Sequence, residues 1–216
     1  MLVQHRVWSF LPAGIESTLD EMPAAIPNRK VKGKCLTVII SAAALVEGIV
    51  TDAIESELDA MQQDPEKRVY AEKQLKVLNR KGWAEKKKIV NAWNWNLAVL
   101  DCFEMVELLF SIRNNLGHGR SYRMKDERVF KDKAFARKES VKIDNELYHK
   151  VYARLLDCGL ISPLDDIAGM SIEVFLAPAV AKCFYQEAVA FLRSFLEMVP
   201  LRYENNLRRE FEEAMK

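Results

Sequence analysis

The sequence predicts an all-α protein, and three observations support this fold class. The chain has 216 residues with only 8 glycines and 7 prolines, a combined share of about 7% against a usual value of roughly 12%. Half of the residues are apolar. Apolar side chains recur at three- and four-residue steps between residues 36 and 61, which is the spacing of one face of a helix. Long helices and few hairpins are therefore expected.

Prolines, glycines and capping residues predict where the elements begin and end. Residues 1–34 carry Pro12, Pro23 and Pro27 and are predicted to be irregular. A helical domain is expected over 35–200 and a charged helix over 201–216. A polar loop is predicted over 119–143, with a short ribbon near 140–143. The helices of the domain are predicted at 36–61, 65–82, 93–116, 144–159 and 178–198.

Composition excludes several classes of protein. The 32 basic residues nearly balance the 31 acidic ones, giving a net charge of +1, so this is not a uniformly basic, histone-like chain. The four cysteines are scattered without a C-x-x-C pair, which argues against a zinc cluster or a disulfide framework. No carboxylate cluster indicates a metal, and no cofactor is expected. The N-terminus lacks a signal pattern, and charges interrupt the apolar stretches, so we expect a cytoplasmic chain with no membrane span.

Two charged residues fall on predicted apolar faces. On a helical wheel of the 93–116 helix, Arg113 lies at about 120° from Asp101, in the middle of the apolar arc. Glu47 lies inside the apolar arc of the first long helix in the same way. Because an unpaired buried charge is costly, the two side chains are predicted to contact each other. The pair either satisfies itself in the core or marks a functional site.

A histidine follows this arginine closely. The segment reads Arg113-Asn114-Asn115-Leu116-Gly117-His118-Gly119, so His118 stands between two glycines at the predicted end of the helix. A helix that ends at Gly117 would free His118 to turn back toward the guanidinium. An arginine donor fork, an asparagine amide and a histidine acid/base together suit a phosphodiester under attack.

The segment from Leu109 to Gly119 resembles the R-x(4–6)-H motif of HEPN domains, and Ala43 to Val50 is similar to their first helix. The resemblance covers residues 35–120. It implies a helical bundle that dimerises and brings two motifs into one cleft. It further implies that Arg113 stabilises the phosphate, that His118 acts as acid/base, and that Asn114 is the polar residue of the motif, with Glu47 in support.

Many members of this family are metal-independent endoribonucleases that act as toxins or in defence, and others are interaction modules. The resemblance therefore implies RNA as a substrate, a homodimer and a possible antitoxin partner. Some toxin subfamilies place a tyrosine two residues after the histidine. Here that position is Arg120, which puts that antitoxin arrangement in doubt.

Local charge supports an RNA partner. From Arg113 to Lys138 nine basic residues face three acids, and the same counts hold from Glu66 to Lys88. Such segments attract phosphate backbones, and Arg120, Arg123 and Lys125 are the candidate RNA contacts beside His118. The alternatives are a solvated charged loop and, for the whole chain, a non-catalytic helical dimer that binds protein or nucleic acid.

Overall fold

The computed structural model describes residues 6–22, 29–117, 153–161, 176–199 and 207–216, without the side chains of 115–117. Within these ranges the chain is helical and contains no strand, so the predicted all-α class is confirmed. Two 3-10 helices lie at Val7–Phe10 and Leu97–Val99, and residues 153–157 are also helical. The longer helices are α1 (Leu11–Asp20), α2 (Arg29–Met61), α3 (Arg68–Leu78), α4 (Trp83–Ala92), α5 (Phe103–Gly117), α6 (Pro178–Met198) and α7 (Leu207–Ala214).

Helix α2 is the centre of the fold. Its apolar side chains are buried along nearly its whole length, from Val31 to Leu58. It contacts α1, α3, α4, α5, α6 and α7. Because neighbours pack on several sides, α2 is apolar around much of its circumference, as expected for a core helix. Residues on α2 are therefore positioned by the rest of the fold.

Aromatic side chains fill the space between α4, α5 and α6. Trp83 stacks on Phe110 with ring centroids 4.2 Å apart and planes 6° from parallel. Phe191 meets Trp83 edge-on at 6.5 Å and stacks with Phe195 at 6.2 Å. Offset and edge-on pairs of this kind stabilise a core beyond the area they bury. These ring contacts fix the positions of α4 and α5 along α6.

The prediction that residues 1–34 are irregular is wrong for the part that the structure describes. Pro12 lies in the first turn of α1, where its missing N–H costs nothing, and α2 already begins at Arg29. Trp8 and Ile15 are buried against the core. Pro12 therefore marks a helix start, and burial of apolar residues such as Trp8 and Ile15 supplies the stability of this segment.

The helix predicted over 93–116 is also wrong at its start. Residues 83–92 form a separate helix, α4, and α5 begins only at Phe103. Asn94 has φ of 62° and ends α4, while the Trp95 N–H bonds the Val90 carbonyl at 3.0 Å. This is the left-handed helix stop that glycine usually makes and asparagine tolerates. The predicted 65–82 helix is likewise shorter, since α3 spans Arg68–Leu78.

The C-terminal half agrees with the sequence where it is described. The α6 helix has the predicted bounds, with Pro178 in its first turn. Gly159 has φ of 67°, and the Leu160 N–H bonds the Leu155 carbonyl at 2.9 Å, so the preceding helix ends at the predicted glycine. The loop predicted over 119–143, its ribbon and the helix start at Asp144 lie outside the described residues.

Helix α7 carries the charges that the sequence predicts for the C-terminal segment, but it is not merely solvated. Leu207 and Phe211 are buried on one face. On the other side, Glu210 forms an ion pair with Arg6 at 2.8 Å. The C-terminal helix is therefore amphipathic and closes over the N-terminal 3-10 helix and α2.

Among the described helices, α2 alone has the length and apolar composition that a bilayer crossing requires. Half of its most apolar window is buried within the fold, and the core helix of a globular protein passes the same test. The expectation that the chain does not span a membrane stays a prediction.

Candidate functional site

The predicted contact between Glu47 and Arg113 is present. Arg113 Nη1 donates to Glu47 Oε2 across 66 residues of chain, joining α5 to α2. Both side chains are partly buried, with 24% and 22% of their surfaces exposed. The wheel positions that place each charge on an apolar face thus have a simple cause: the two helices pack with these residues facing each other. The catalytic roles assigned to the pair stay predictions.

Glu47 also binds a second cation that the sequence reasoning missed. Lys86 Nζ donates to Glu47 Oε1 at 3.1 Å, so the two carboxylate oxygens take one cation each. Lys86 is the sole buried charged residue among the described ranges, with 5% of its surface exposed. A buried ammonium needs such a partner, and Glu47 supplies it.

A signal for Lys86 exists in the sequence. On α4 it lies three residues after Trp83, three before Ile89 and four before Val90, all of which are buried. The helical period therefore puts Lys86 on the apolar face, as it does Arg113. The signal was missed because residues 83–92 fell between the two expected helices, 65–82 and 93–116, and were assigned to neither.

The Arg113 guanidinium is held on three sides. Beside Glu47, its Nε and Nη2 donate to Asn114 Oδ1 at 3.2 and 3.0 Å. Its Cζ lies 4.8 Å from the centroid of the Phe110 ring, a cation–π contact. The motif neighbour Asn114 thus contacts Arg113 directly. An arginine fixed by hydrogen bonds and by ring stacking is pre-organised to receive an anion.

The charges of the site sum in favour of an anion. Glu47 contributes one negative charge against the two positive charges of Lys86 and Arg113. A guanidinium carries five N–H donors, and the contacts with residues that the structure describes occupy three of them. Burial by itself raises the pKa of Glu47, but the hydrogen bonds from Arg113 and Lys86 outweigh it and lower the pKa overall. Glu47 therefore stays ionised at neutral pH.

A second ion pair braces the same region. Trp83 Nε1 donates to Glu107 Oε1 at 2.6 Å, and Lys87 Nζ bonds Glu107 Oε2 at 2.5 Å. The Lys87–Glu107 ion pair and the Trp83–Glu107 hydrogen bond therefore join α4 to α5 directly, and Glu47 on α2 links the same two helices through Lys86 and Arg113. Lys86 joins α4 to α2 at the same level.

Beside the site is a cleft of about 710 Å³ whose lining includes Glu47 and Lys86 but not Arg113. The cleft is acidic, with Asp52, Glu55 and Asp59 along one side of α2. Burial raises the pKa of Asp52 despite the hydrogen bond from Trp8 Nε1 at 2.7 Å. An acidic cleft repels phosphate, so an anionic ligand has to reach the guanidinium from elsewhere.

The remaining predicted site residues, His118, Arg120, Arg123 and Lys125, lie outside the described residues. Of the predicted catalytic set, the structure therefore brings together Arg113, Asn114 and Glu47. Within the described ranges, no group of three or more His, Cys, Asp or Glu side chains is arranged to hold a metal ion.

The chain was compared with known proteins. No family model, no curated protein and no solved structure matches it. The function has to be argued from the site itself.

Proposed function

We propose that this chain is a metal-independent endoribonuclease of HEPN type, with Arg113 and His118 as its catalytic residues. The observation that carries the proposal is the Arg113 guanidinium, fixed by Glu47, Asn114 and Phe110, with two N–H donors that no described residue occupies. A planar donor fork is suited to the two non-bridging oxygens of a phosphodiester.

The proposed step is an attack by a ribose 2′-hydroxyl on the adjacent phosphorus. The 2′-oxygen forms a bond to phosphorus while the bond to the 5′-oxygen breaks, giving a 2′,3′-cyclic phosphate and a 5′-hydroxyl end. His118 moves the proton at one of these oxygens, and Arg113 stabilises the negative charge on the non-bridging oxygens. DNA lacks the attacking hydroxyl and is not a substrate for this step.

Glu47 and Lys86 serve this chemistry indirectly. The carboxylate orients the guanidinium, and Lys86 neutralises the carboxylate so that the site keeps one net positive charge. Glu47 is thus a positioning residue, and phosphate binding does not have to compete with an uncompensated anion.

A basic face on α3 supports a polyanionic substrate. This face consists of Lys73 and Lys76 on α3 and of Arg80 in the turn that follows the helix, and all three are exposed. None of them forms an ion pair with a residue that the structure describes, whereas Arg68 on the same helix pairs with Glu72. A stripe of cations without acids is the electrostatic pattern that binds a phosphate backbone.

We further propose that the chain acts as a toxin or defence effector, that it works as a homodimer, and that an antitoxin protein restrains it. These proposals rest on the family resemblance of the motif. The alternative is a non-catalytic helical module that binds protein or nucleic acid through the same surface.

The test is RNA cleavage in EDTA by the purified full chain, compared with His118→Ala and Arg113→Lys. We expect each variant to lose about 100-fold or more in rate. His149→Ala is the matched control, since it removes a histidine outside the motif, and it should cleave like the wild type. A strict need for magnesium would overturn the mechanism. RNA binding without cleavage by any form would support the alternative module.

A further inference from the structure

Two of the four cysteines, Cys102 and Cys183, lie near the carboxylate of Glu187 on α6, and a third, Cys158, lies near Cys183. Cys102 donates a hydrogen bond to Glu187, and Cys183 lies one helical turn before it. Cys158 lies one turn after Arg154, as its N–H bonds the Arg154 carbonyl at 3.0 Å. Nothing in the proposed ribonuclease mechanism uses these thiols.

An ion pair sets the register between the two helices that carry Cys158 and Cys183. Arg154 Nη2 bonds Glu187 Oε1 at 3.1 Å. From this pair, four residues forward on one helix lead to Cys158, and four residues back on α6 lead to Cys183. The Cys158 side chain is one of the causes that raise the pKa of Cys183, so the two turns lie on the same side of the ion pair and bring the two cysteines near each other.

The electrostatics agree with this register. Burial, together with the nearby Glu187 and Cys158 side chains, raises the pKa of Cys183 to about 11. Cys158 is exposed to solvent, whereas Cys183 is half-buried. An oxidant in solution therefore reaches Cys158 first, with Cys183 behind it as the second thiol.

We propose that Cys158 and Cys183 are an oxidative modification site that forms an intramolecular disulfide when the protein meets a hydroperoxide. The Cys158 sulfur attacks the peroxide, whose O–O bond breaks, giving a sulfenic acid on Cys158 and releasing an alcohol or, from hydrogen peroxide, water. The Cys183 sulfur then attacks the Cys158 sulfur, and the hydroxyl leaves as a second water. Two thiols are oxidised and one peroxide is reduced.

The other two cysteines are poorly placed for this reaction. Cys35 is fully buried on α2, with its thiol 3.6 Å from the Met22 sulfur. Cys102 has a left-handed backbone with φ of 67° and gives its proton to Glu187, and burial is the main cause that raises its pKa to about 12. Cys35 is therefore out of reach of a dissolved oxidant, and the Cys102 thiol is engaged by Glu187.

The disulfide would join the helical residues 153–157 to α6 covalently. This link adds to the Arg154–Glu187 ion pair a covalent bond that closes a loop between residues 158 and 183. Closing such a loop restricts the unfolded chain, so the oxidised protein should have a Tm higher by a few degrees.

Trypsin provides a direct test, since each cysteine falls in its own peptide. Cleavage after Arg154, Lys182 and Arg193 puts Cys158 in 155–182 and Cys183 in 183–193, while Cys35 and Cys102 fall in 35–67 and 89–113. The native protein is treated with hydrogen peroxide, its remaining thiols are alkylated, and the digest is analysed by mass spectrometry without reduction. We expect a linked pair of 155–182 with 183–193 that dithiothreitol separates.

Cys158→Ser and Cys183→Ser should each abolish the linked pair and the rise in Tm, whereas Cys35→Ser should keep both. Because Cys158 is exposed, Cys158→Ser should fold like the wild type. Loss of the linked pair in this variant is then not caused by misfolding. A link from 155–182 to 89–113, a link between two chains, or conversion of Cys158 to sulfinic acid alone would overturn the proposal.

Discussion

Glu47 on α2 binds Lys86 on α4 at 3.1 Å, through the carboxylate oxygen that Arg113 leaves vacant. One carboxylate therefore joins three helices, because Arg113 comes from α5. This arrangement decides what each member of the trio does. Arg113 is partly exposed, while Lys86 is buried and its described ion pair is with Glu47.

The first prediction concerns the dependence of Lys86 on Glu47. Glu47→Ala leaves the buried ammonium without its partner and should lower the free energy of unfolding by about 3 kcal/mol. Lys86→Met removes the ammonium, keeps the Glu47–Arg113 pair and should cost less than about 1 kcal/mol. Urea denaturation at neutral pH measures both. Equal losses in the two variants would show that Lys86 does not need the carboxylate.

The second prediction concerns acid. The folded state lowers the pKa of Glu47 below its ordinary value of 4.5, so the charged form adds stability above that pH. This stability is lost as the pH falls through the lower, folded-state pKa. The difference in free energy of unfolding between the wild type and Glu47→Gln should therefore shrink below about pH 4.5.

Asp52 provides the opposite case for the same experiment. Its pKa is raised, chiefly by burial, so the stability tied to its neutral form is lost as the pH rises through the folded-state pKa. Asp52→Asn should therefore gain on the wild type as the pH rises from acid. Curves that change in the same direction for Asp52→Asn and Glu47→Gln would contradict the pKa directions.

The third prediction compares two glycines on α2. A Cβ at Gly48 would lie 3.0 Å from Cβ and Cδ1 of Trp8, which is tighter than normal contact. Gly48→Ala should therefore destabilise the protein by about 1–3 kcal/mol. A Cβ at Gly33 meets nothing within 4 Å, so Gly33→Ala should stabilise the helix by about 0.5–1 kcal/mol. Thermal unfolding of both variants distinguishes them by the sign of the change in Tm.

The fourth prediction separates the two contacts of Trp83. Trp83→Phe keeps a ring against Phe110 but loses the hydrogen bond to Glu107, at a cost of about 1 kcal/mol. Trp83→Ala also loses the stack and should cost about 3–5 kcal/mol. Trp93→Phe is the control, since Trp93 is only partly buried. The free energies of unfolding are measured with denaturant. Equal losses in the two Trp83 variants would contradict the separate contributions of the hydrogen bond and the ring stack.

The fifth prediction tests the basic face of α3. Reversing Lys73, Lys76 and Arg80 to Glu should weaken RNA binding and reduce the slope of affinity against salt by about 2, since each phosphate contact adds roughly 0.7. The control reverses Arg193, Arg208 and Arg209, which are exposed on α6 and α7 and engaged in ion pairs. Titrations over a range of salt concentrations should show a change for the α3 variant only.

Much of the fold follows from local sequence signals. The low glycine and proline content and the period of α2 predict the all-α class, and Pro178 and Gly159 mark helix boundaries that the structure keeps. The errors arise where a local signal has two meanings. Pro12 reads as a break but stands in the first turn of a helix, and Asn94 makes a left-handed stop that usually calls for glycine.

Only part of the site could be predicted from the sequence, because here too a local signal left a question open. A charge on an apolar face shows that a partner exists, and this is enough to pair Glu47 with Arg113 when each has a known helical phase. It does not say how many partners there are. Lys86 was missed because α4 was not predicted as a helix. Without a predicted helix, Lys86 could not be assigned to an apolar face.

The sequence by itself determined the helical class, the positions of several helix ends, and the two charges that had to meet. These depend on neighbours within a few turns of the same helix. Only the tertiary structure decided that Glu47 takes two cations, that Asn114 and Phe110 hold the guanidinium, and that an acidic cleft lies beside the site. These features join residues from separate helices, and their geometry depends on how the aromatic core sets the helices against one another.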